Sequence, residues 1–82
     1  MIAEDEFAET VYADVARVFR RDRATLTRET RFVEDLGVTS LTMAQLIALL
    51  EEDLGVSIPF MEARRRTTLG EAIDFVTELR HR

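Results

Sequence analysis

The sequence predicts an all-α fold: three main helices, one short helix, and a long loop between the first and second. Two observations carry that expectation. Apolar residues recur at helical spacing in three segments, and the residues that start and stop helices stand at the ends of those segments. At 82 residues the chain has room for one domain. A domain of that size buries only about 60% of the surface its unfolded form exposes, so the core is expected to be thin. A single domain spanning residues 1–82 is the expected organisation, with no internal repeat, low-complexity stretch or long linker.

In the first segment, Phe7, Val11, Tyr12, Val15, Val18 and Phe19 fall on one side of a 3.6-residue wheel. Glu9, Ala13, Arg17 and Arg20 fall on the other, which predicts a helix over about 4–21. Residues 22–39 lack sustained periodicity but contain Leu26, Phe32, Val33 and Leu36. A connection that long is packed or functional rather than free, so these four are expected to tack it onto the bundle. Gly37 allows a sharp turn just before the next helix.

The second helix is expected over 40–54, with Thr39 or Ser40 offering a hydroxyl to its orphan amides. Gly55 stands where a left-handed C-terminal cap belongs, and Pro59 follows. Residues 60–65 have room for one or two helical turns. Thr68-Leu69-Gly70-Glu71 matches the capping box, in which Thr68 and Glu71 satisfy each other's amides. The final helix then buries Leu69, Ala72, Ile73, Phe75, Val76 and Leu79.

Composition narrows the function. The chain is 46% hydrophobic and 33% charged, that of an ordinary globular domain. It has no cysteine, which excludes disulfides and thiolate metal sites. Residues 1–6 are acidic and show no signal segment, and no apolar run nears the roughly 20 residues that span a bilayer. A cytoplasmic, monomeric protein with no membrane association is expected. A net charge of −5 disfavours nucleic acid as the partner. The Arg64-Arg65-Arg66 cluster reads as a solvated face or a local docking patch.

The second helix does not balance on the wheel. Met43, Leu46, Ile47, Leu50 and Leu54 form one core-facing arc, while Leu41 and Leu49 lie outside it among Thr42, Gln45, Ala48 and Glu52. The off-arc leucines read either as scattered exposed apolar residues or as a partner-facing patch. Ser40 stands beside them. It reads either as an ordinary cap or as a site suited to a phosphate group, because a helix start offers free amides and the positive dipole end.

Phe32-Val33-Glu34-Asp35-Leu36-Gly37-Val38-Thr39-Ser40-Leu41 resembles the approach to the modified serine of acyl carrier proteins. The likeness continues through Leu46, Leu50-Glu51-Glu52-Asp53-Leu54, Ile58-Pro59, Thr67-Thr68-Leu69-Gly70 and Ala72-Ile73-Asp74-Phe75, in order and without a gap. The resemblance implies a four-helix carrier-protein bundle in which Ser40 receives 4′-phosphopantetheine from coenzyme A. A magnesium-dependent phosphopantetheinyl transferase would attach it. Acyl-loading, ketosynthase or tailoring enzymes would then act on an acyl group held as a thioester on the arm. It further implies partner docking on Leu41, Thr42, Gln45, Ala48, Leu49 and Glu52, with the preceding loop and short helix contributing.

The sequence departs from that family at Thr39, where aspartate is usual. Thr42 and Gln45 replace acids common in fatty-acid carriers, and Arg64–66 bring positive charge to a region often acidic. Lost acids change association rate and partner choice more than raw affinity. A carrier of a polyketide or other specialised acyl pathway is therefore expected rather than the housekeeping fatty-acid carrier. Two other readings share the pattern: a peptidyl or aryl carrier of a nonribosomal system, and a helical interaction module whose Ser40 is never modified.

No catalytic residue is expected. A serine nucleophile needs a positioned base, and the one histidine, His81, is next to the C-terminus. No metal site is expected either, since residues 53–62 lack the glycine and inner ligands of a calcium loop. Glu51-Glu52-Asp53 reads as a solvated acidic helix end.

Overall fold

A computed structural model describes residues 4–82. Part of the N-terminal expectation, on residues 1–3, lies outside the described residues. Four α-helices follow one another: α1 (Glu4–Phe19), α2 (Ser40–Leu54), α3 (Phe60–Arg64) and α4 (Leu69–Arg80), with one 3₁₀ turn at Arg23–Thr25 between α1 and α2. The expected all-α bundle of three main helices and one short one is what the chain forms.

α1 buries Phe7, Val11, Tyr12, Val15 and Phe19, while Val18 is only partly covered. The helix stops two residues short of the expected end. Arg20 adopts φ 55°, the left-handed conformation that ends a helix. That position is usually filled by glycine, so the pattern gave no stop signal there. Asp14 is the buried charged residue among those described, and it sits within the same apolar face.

The long loop is packed, as expected, through Leu26, Phe32 and Leu36. The Phe32 ring lies 6.4 Å from that of Phe19, tilted by 59°. Val33 does not join them; it is 61% exposed. Instead of a fourth anchor, the backbone supplies the remaining attachment. The Phe32 N–H donates to the Thr67 carbonyl at 3.0 Å, Leu69 N–H to Thr30 at 2.9 Å, and Gly70 N–H to Arg28 at 2.9 Å. The loop thus lies directly against the start of α4. A Cβ at Gly70 would sit 3.1 Å from both the Arg28 Cβ and its carbonyl oxygen, so the absence of a side chain lets the two segments pack this closely without adjustment.

At the start of α4 the Thr68 hydroxyl accepts from the Glu71 N–H at 3.2 Å. The return bond differs from the expected box. The Glu71 carboxylate takes the Thr67 N–H at 2.9 Å and its hydroxyl at 3.0 Å, one residue further upstream. These bonds hold the Glu71 carboxyl below its usual range. α4 buries Leu69, Ile73, Phe75 and Val76.

α2 crosses α1 and contributes Met43, Leu46, Ile47 and Leu50 to the core. It ends at Gly55 with φ 68°, whose N–H returns to the Glu51 carbonyl at 3.0 Å, the expected left-handed cap. The acidic end of α2 is not merely solvated. Glu51 is half-buried, and its carboxylate accepts the Ile58 N–H at 2.7 Å. That bond ties the helix end to the segment entering α3.

A candidate carrier site at the start of α2

The approach to Ser40 is a wound turn with a charged clasp. The Asp35 carboxylate accepts the Arg31 N–H at 2.8 Å and lies 3.4 Å from the Arg31 guanidinium. The same contacts hold the Asp35 carboxyl below its usual range. Leu36 points into the core, and Gly37 adopts φ 62°. Val38 N–H then closes onto the Phe32 carbonyl at 2.9 Å. Each residue of Asp35-Leu36-Gly37 has a separate mechanical job: clasp, anchor and left-handed turn. Together they deliver the chain to α2 in a fixed position.

Thr39, with an extended backbone, is the N-cap, which settles the choice left open by the pattern. Its hydroxyl accepts from the Thr42 N–H at 3.1 Å, and the Thr42 hydroxyl accepts from the Thr39 N–H at 2.8 Å. This is a capping box built from two threonines. Ser40 is consequently released from capping. It is the first residue of the helix and is exposed. The first turn of α2 carries no acid. Amides at a helix start have no intrahelical acceptor and face outward with the dipole's positive end. An exposed hydroxyl in that field, with no carboxylate in the first turn to repel an anion, suits a phosphodiester attachment chemically.

The six expected docking residues divide. Leu41 is 68% exposed beside Ser40. Thr42 is half-buried and its hydroxyl is committed to the cap, so it offers less to a partner than the wheel suggested. Gln45, Ala48, Leu49 and Glu52 share an open groove of about 520 Å³ with Arg17 and Val18 of α1 and Arg20 just past its end. Along the helix axis the groove runs from roughly 8 Å to about 18 Å beyond Ser40, so it is separate from the start of α2.

Three large apolar side chains stand out as exposed: Leu41, Val33 at 61% and Met61 at 67%. They lie on the first turn of α2, on the preceding loop and on α3. Met61 escaped the sequence reading because a five-residue helix gives no reliable wheel. Arg17 and Arg20 escaped as groove residues because the wheel shows only that they are outside the core.

Residues 9–76 match the family model described as the phosphopantetheine attachment site. The chain belongs to the acyl carrier protein family. It is 36% identical over 70 residues to the acyl carrier protein of Helicobacter pylori (strain G27), covering 85% of this chain and 90% of that protein. It is 32% identical over 78 residues to the acyl carrier protein of Rickettsia prowazekii (strain Madrid E), covering 95% and 91%. Among solved structures it superposes on a chain from Mycobacterium tuberculosis described as a candidate acyl carrier protein. That match has a TM-score of 0.78 and 33% identity, and covers 88% of this chain and 96% of the other.

Membership brings the family's cofactor, 4′-phosphopantetheine, and its non-catalytic role: acyl carrier proteins serve phosphopantetheinyl transferases and acyl-handling enzymes as substrate and platform. Among the described residues no helix is long and apolar enough to cross a membrane.

Proposed function

We propose that Ser40 is the residue that carries 4′-phosphopantetheine. The observation that carries this reading is the Thr39–Thr42 capping box, which leaves the Ser40 hydroxyl exposed at the positive end of α2. When bound, the group supplies a terminal thiol on which an acyl chain is held as a thioester. The protein's own residues fix the anchor. Asp35, Leu36 and Gly37 set the turn, Thr39 caps the helix, and the helix start would offer the phosphate the positive end of its dipole. A direct test is intact-protein mass after incubation with coenzyme A, magnesium and a broad-specificity phosphopantetheinyl transferase. The parent should gain one phosphopantetheine, and Ser40→Ala none. Equal gain in both would move the attachment elsewhere.

The carrier serves a polyketide or other specialised acyl pathway as a monomeric, cytoplasmic domain over residues 1–82. What supports the pathway is charge. The first turn of α2 has no acid, and the groove that contains Gln45, Leu49 and Glu52 is walled on its other side by Arg17 and Arg20. Partners with strongly basic docking faces, which suit an acidic carrier helix, would meet less attraction here. Loading by a housekeeping ketosynthase system should be slower than loading of that system's own carrier. Equal rates would overturn the specialised assignment.

A further inference from the structure

Asp14 is an outlier in the core of this bundle. It lies on the α1 face that also carries Phe7, Val11 and Val15, and it is only 6% exposed. One of its carboxylate oxygens, Oδ2, is fully enclosed and has no hydrogen-bond partner. A buried carboxylate with an unsatisfied oxygen is costly unless it is neutralised or paired. The group that meets it is another acid: Asp53, in the last turn of α2, is within hydrogen-bonding reach across the helix contact. The charged groups bearing on Asp14 are Asp53 from α2 and Arg17 from its own helix. Arg17 opposes protonation, but it belongs to the wall of the solvent-open groove.

We propose that Asp14 and Asp53 form a proton-operated latch between α1 and the C-terminal end of α2. In the closed state Asp14 is the protonated partner, and its hydroxyl donates to the Asp53 carboxylate. The proton supplies the donor that two carboxylates lack. Loss of that proton leaves the buried Asp14 charge facing a like charge on the exposed Asp53, and the last turn of α2 is driven away from α1. Glu52, the neighbour of Asp53, lines the α1–α2 groove, so opening the latch widens the groove at that end.

Burial, then the Asp53 contact, raises the Asp14 carboxyl from its ordinary 3.8 to about 7. The folded state therefore holds this proton more tightly than the unfolded chain. Its contribution to stability is complete below about pH 4 and is lost as pH rises through about 7. The latch operates in the neutral range, where ordinary aspartates are fully ionised.

Two measurements on the full chain test this. The first follows the Asp14 side-chain carboxyl carbon by NMR from pH 4 to 9. A midpoint near neutrality is expected, falling by one pH unit or more in Asp53→Asn. A parent midpoint below pH 5, or one that Asp53→Asn leaves unmoved, would overturn the latch. The second follows amide exchange of residues 50–54, corrected for intrinsic rates. Protection in the parent should fall at least ten-fold between pH 6 and 8, whereas in Asp14→Asn, whose amide donates at any pH, it should stay level. His81, the chain's one histidine, is common to both proteins. An equal loss of protection in both would therefore assign the pH response to a group other than Asp14.

Discussion

Replacing Thr39 by alanine tests how the start of α2 is held. The substitution removes the hydroxyl that accepts the Thr42 N–H at 3.1 Å, but it keeps the backbone N–H that donates to the Thr42 hydroxyl at 2.8 Å. It also keeps the first helical bond, from Met43 N–H to the Thr39 carbonyl at 2.9 Å. One side-chain acceptor is lost from an exposed cap, so the expected cost is about 1 kcal/mol. For 82 residues the entropy of unfolding is about 0.17 kcal/mol per kelvin, and the cost converts to a drop of roughly 6 °C in Tm. Thr39→Asp restores an acceptor and adds a negative charge at the positive end of the helix, so its Tm should equal or exceed the parent's. Thermal unfolding by circular dichroism at pH 6 measures both, and hydrogen exchange at residues 40–43 localises the effect. A capping role for the Thr39 hydroxyl is refuted if Thr39→Ala melts within 1 °C of the parent with unchanged exchange, or if Thr39→Asp falls as far as Thr39→Ala.

Three further outcomes follow from the packing and the charges. Leu69→Ala, at a side chain with no exposure, should lose about 2–5 kcal/mol in urea unfolding, whereas Leu41→Ala should change stability by less than about 0.5 kcal/mol. Gly70→Ala sets a Cβ 3.1 Å from Arg28, which must give by a few tenths of an ångström. Overpacking of about 1–3 kcal/mol less a helix-propensity gain of about 1 kcal/mol leaves a net cost of at most about 2 kcal/mol, read from the same denaturation curves. Glu9, Asp35 and Glu71 are all held below their usual values, Glu9 by the Arg23 guanidinium, Asp35 by the Arg31 N–H and guanidinium, and Glu71 by the Thr67 N–H and hydroxyl. Their stabilisation is present above the ordinary carboxylate range and is lost as pH falls through their folded values. Tm should therefore fall between pH 5 and 3, and less steeply in Glu71→Gln.

Much of this fold was legible because its signals are local. α2 starts and stops where predicted because Thr39 and Gly55 are both strong boundary residues, each meeting a backbone need at its own position. α1 overran because an arginine, not a glycine, takes the left-handed turn at Arg20. Val33, apolar and therefore expected to anchor the loop, is directed outward by the turn that Arg31 and Asp35 clasp. Side-chain direction in such a turn follows from backbone winding, which has no period to read. Glu51 looked solvated because its partner is the Ile58 amide, seven residues away and past a helix end.

At the site, the ordered motif around Ser40 is what points to it, and the family match spans that motif. The groove was not readable, since it depends on how α1 and α2 cross. Asp14 was within reach of the wheel. Placed at 100° per residue it falls 20° from Phe7, inside the apolar arc. An apolar stripe is defined without its charged members, yet a charged residue inside a core arc is the more informative observation.

The central claim is that Ser40 bears an arm that holds acyl cargo as a thioester. The most direct measurement loads the protein with acetyl-coenzyme A through a broad-specificity phosphopantetheinyl transferase and follows intact mass before and after neutral hydroxylamine, with peptide mapping of the product. The account predicts a gain of one acetyl-phosphopantetheine on the peptide containing Ser40, loss of the acetyl group alone on hydroxylamine treatment, and no gain in Ser40→Ala. An arm mapped to another residue, or no gain in the folded parent while a known carrier is modified in parallel, would contradict it.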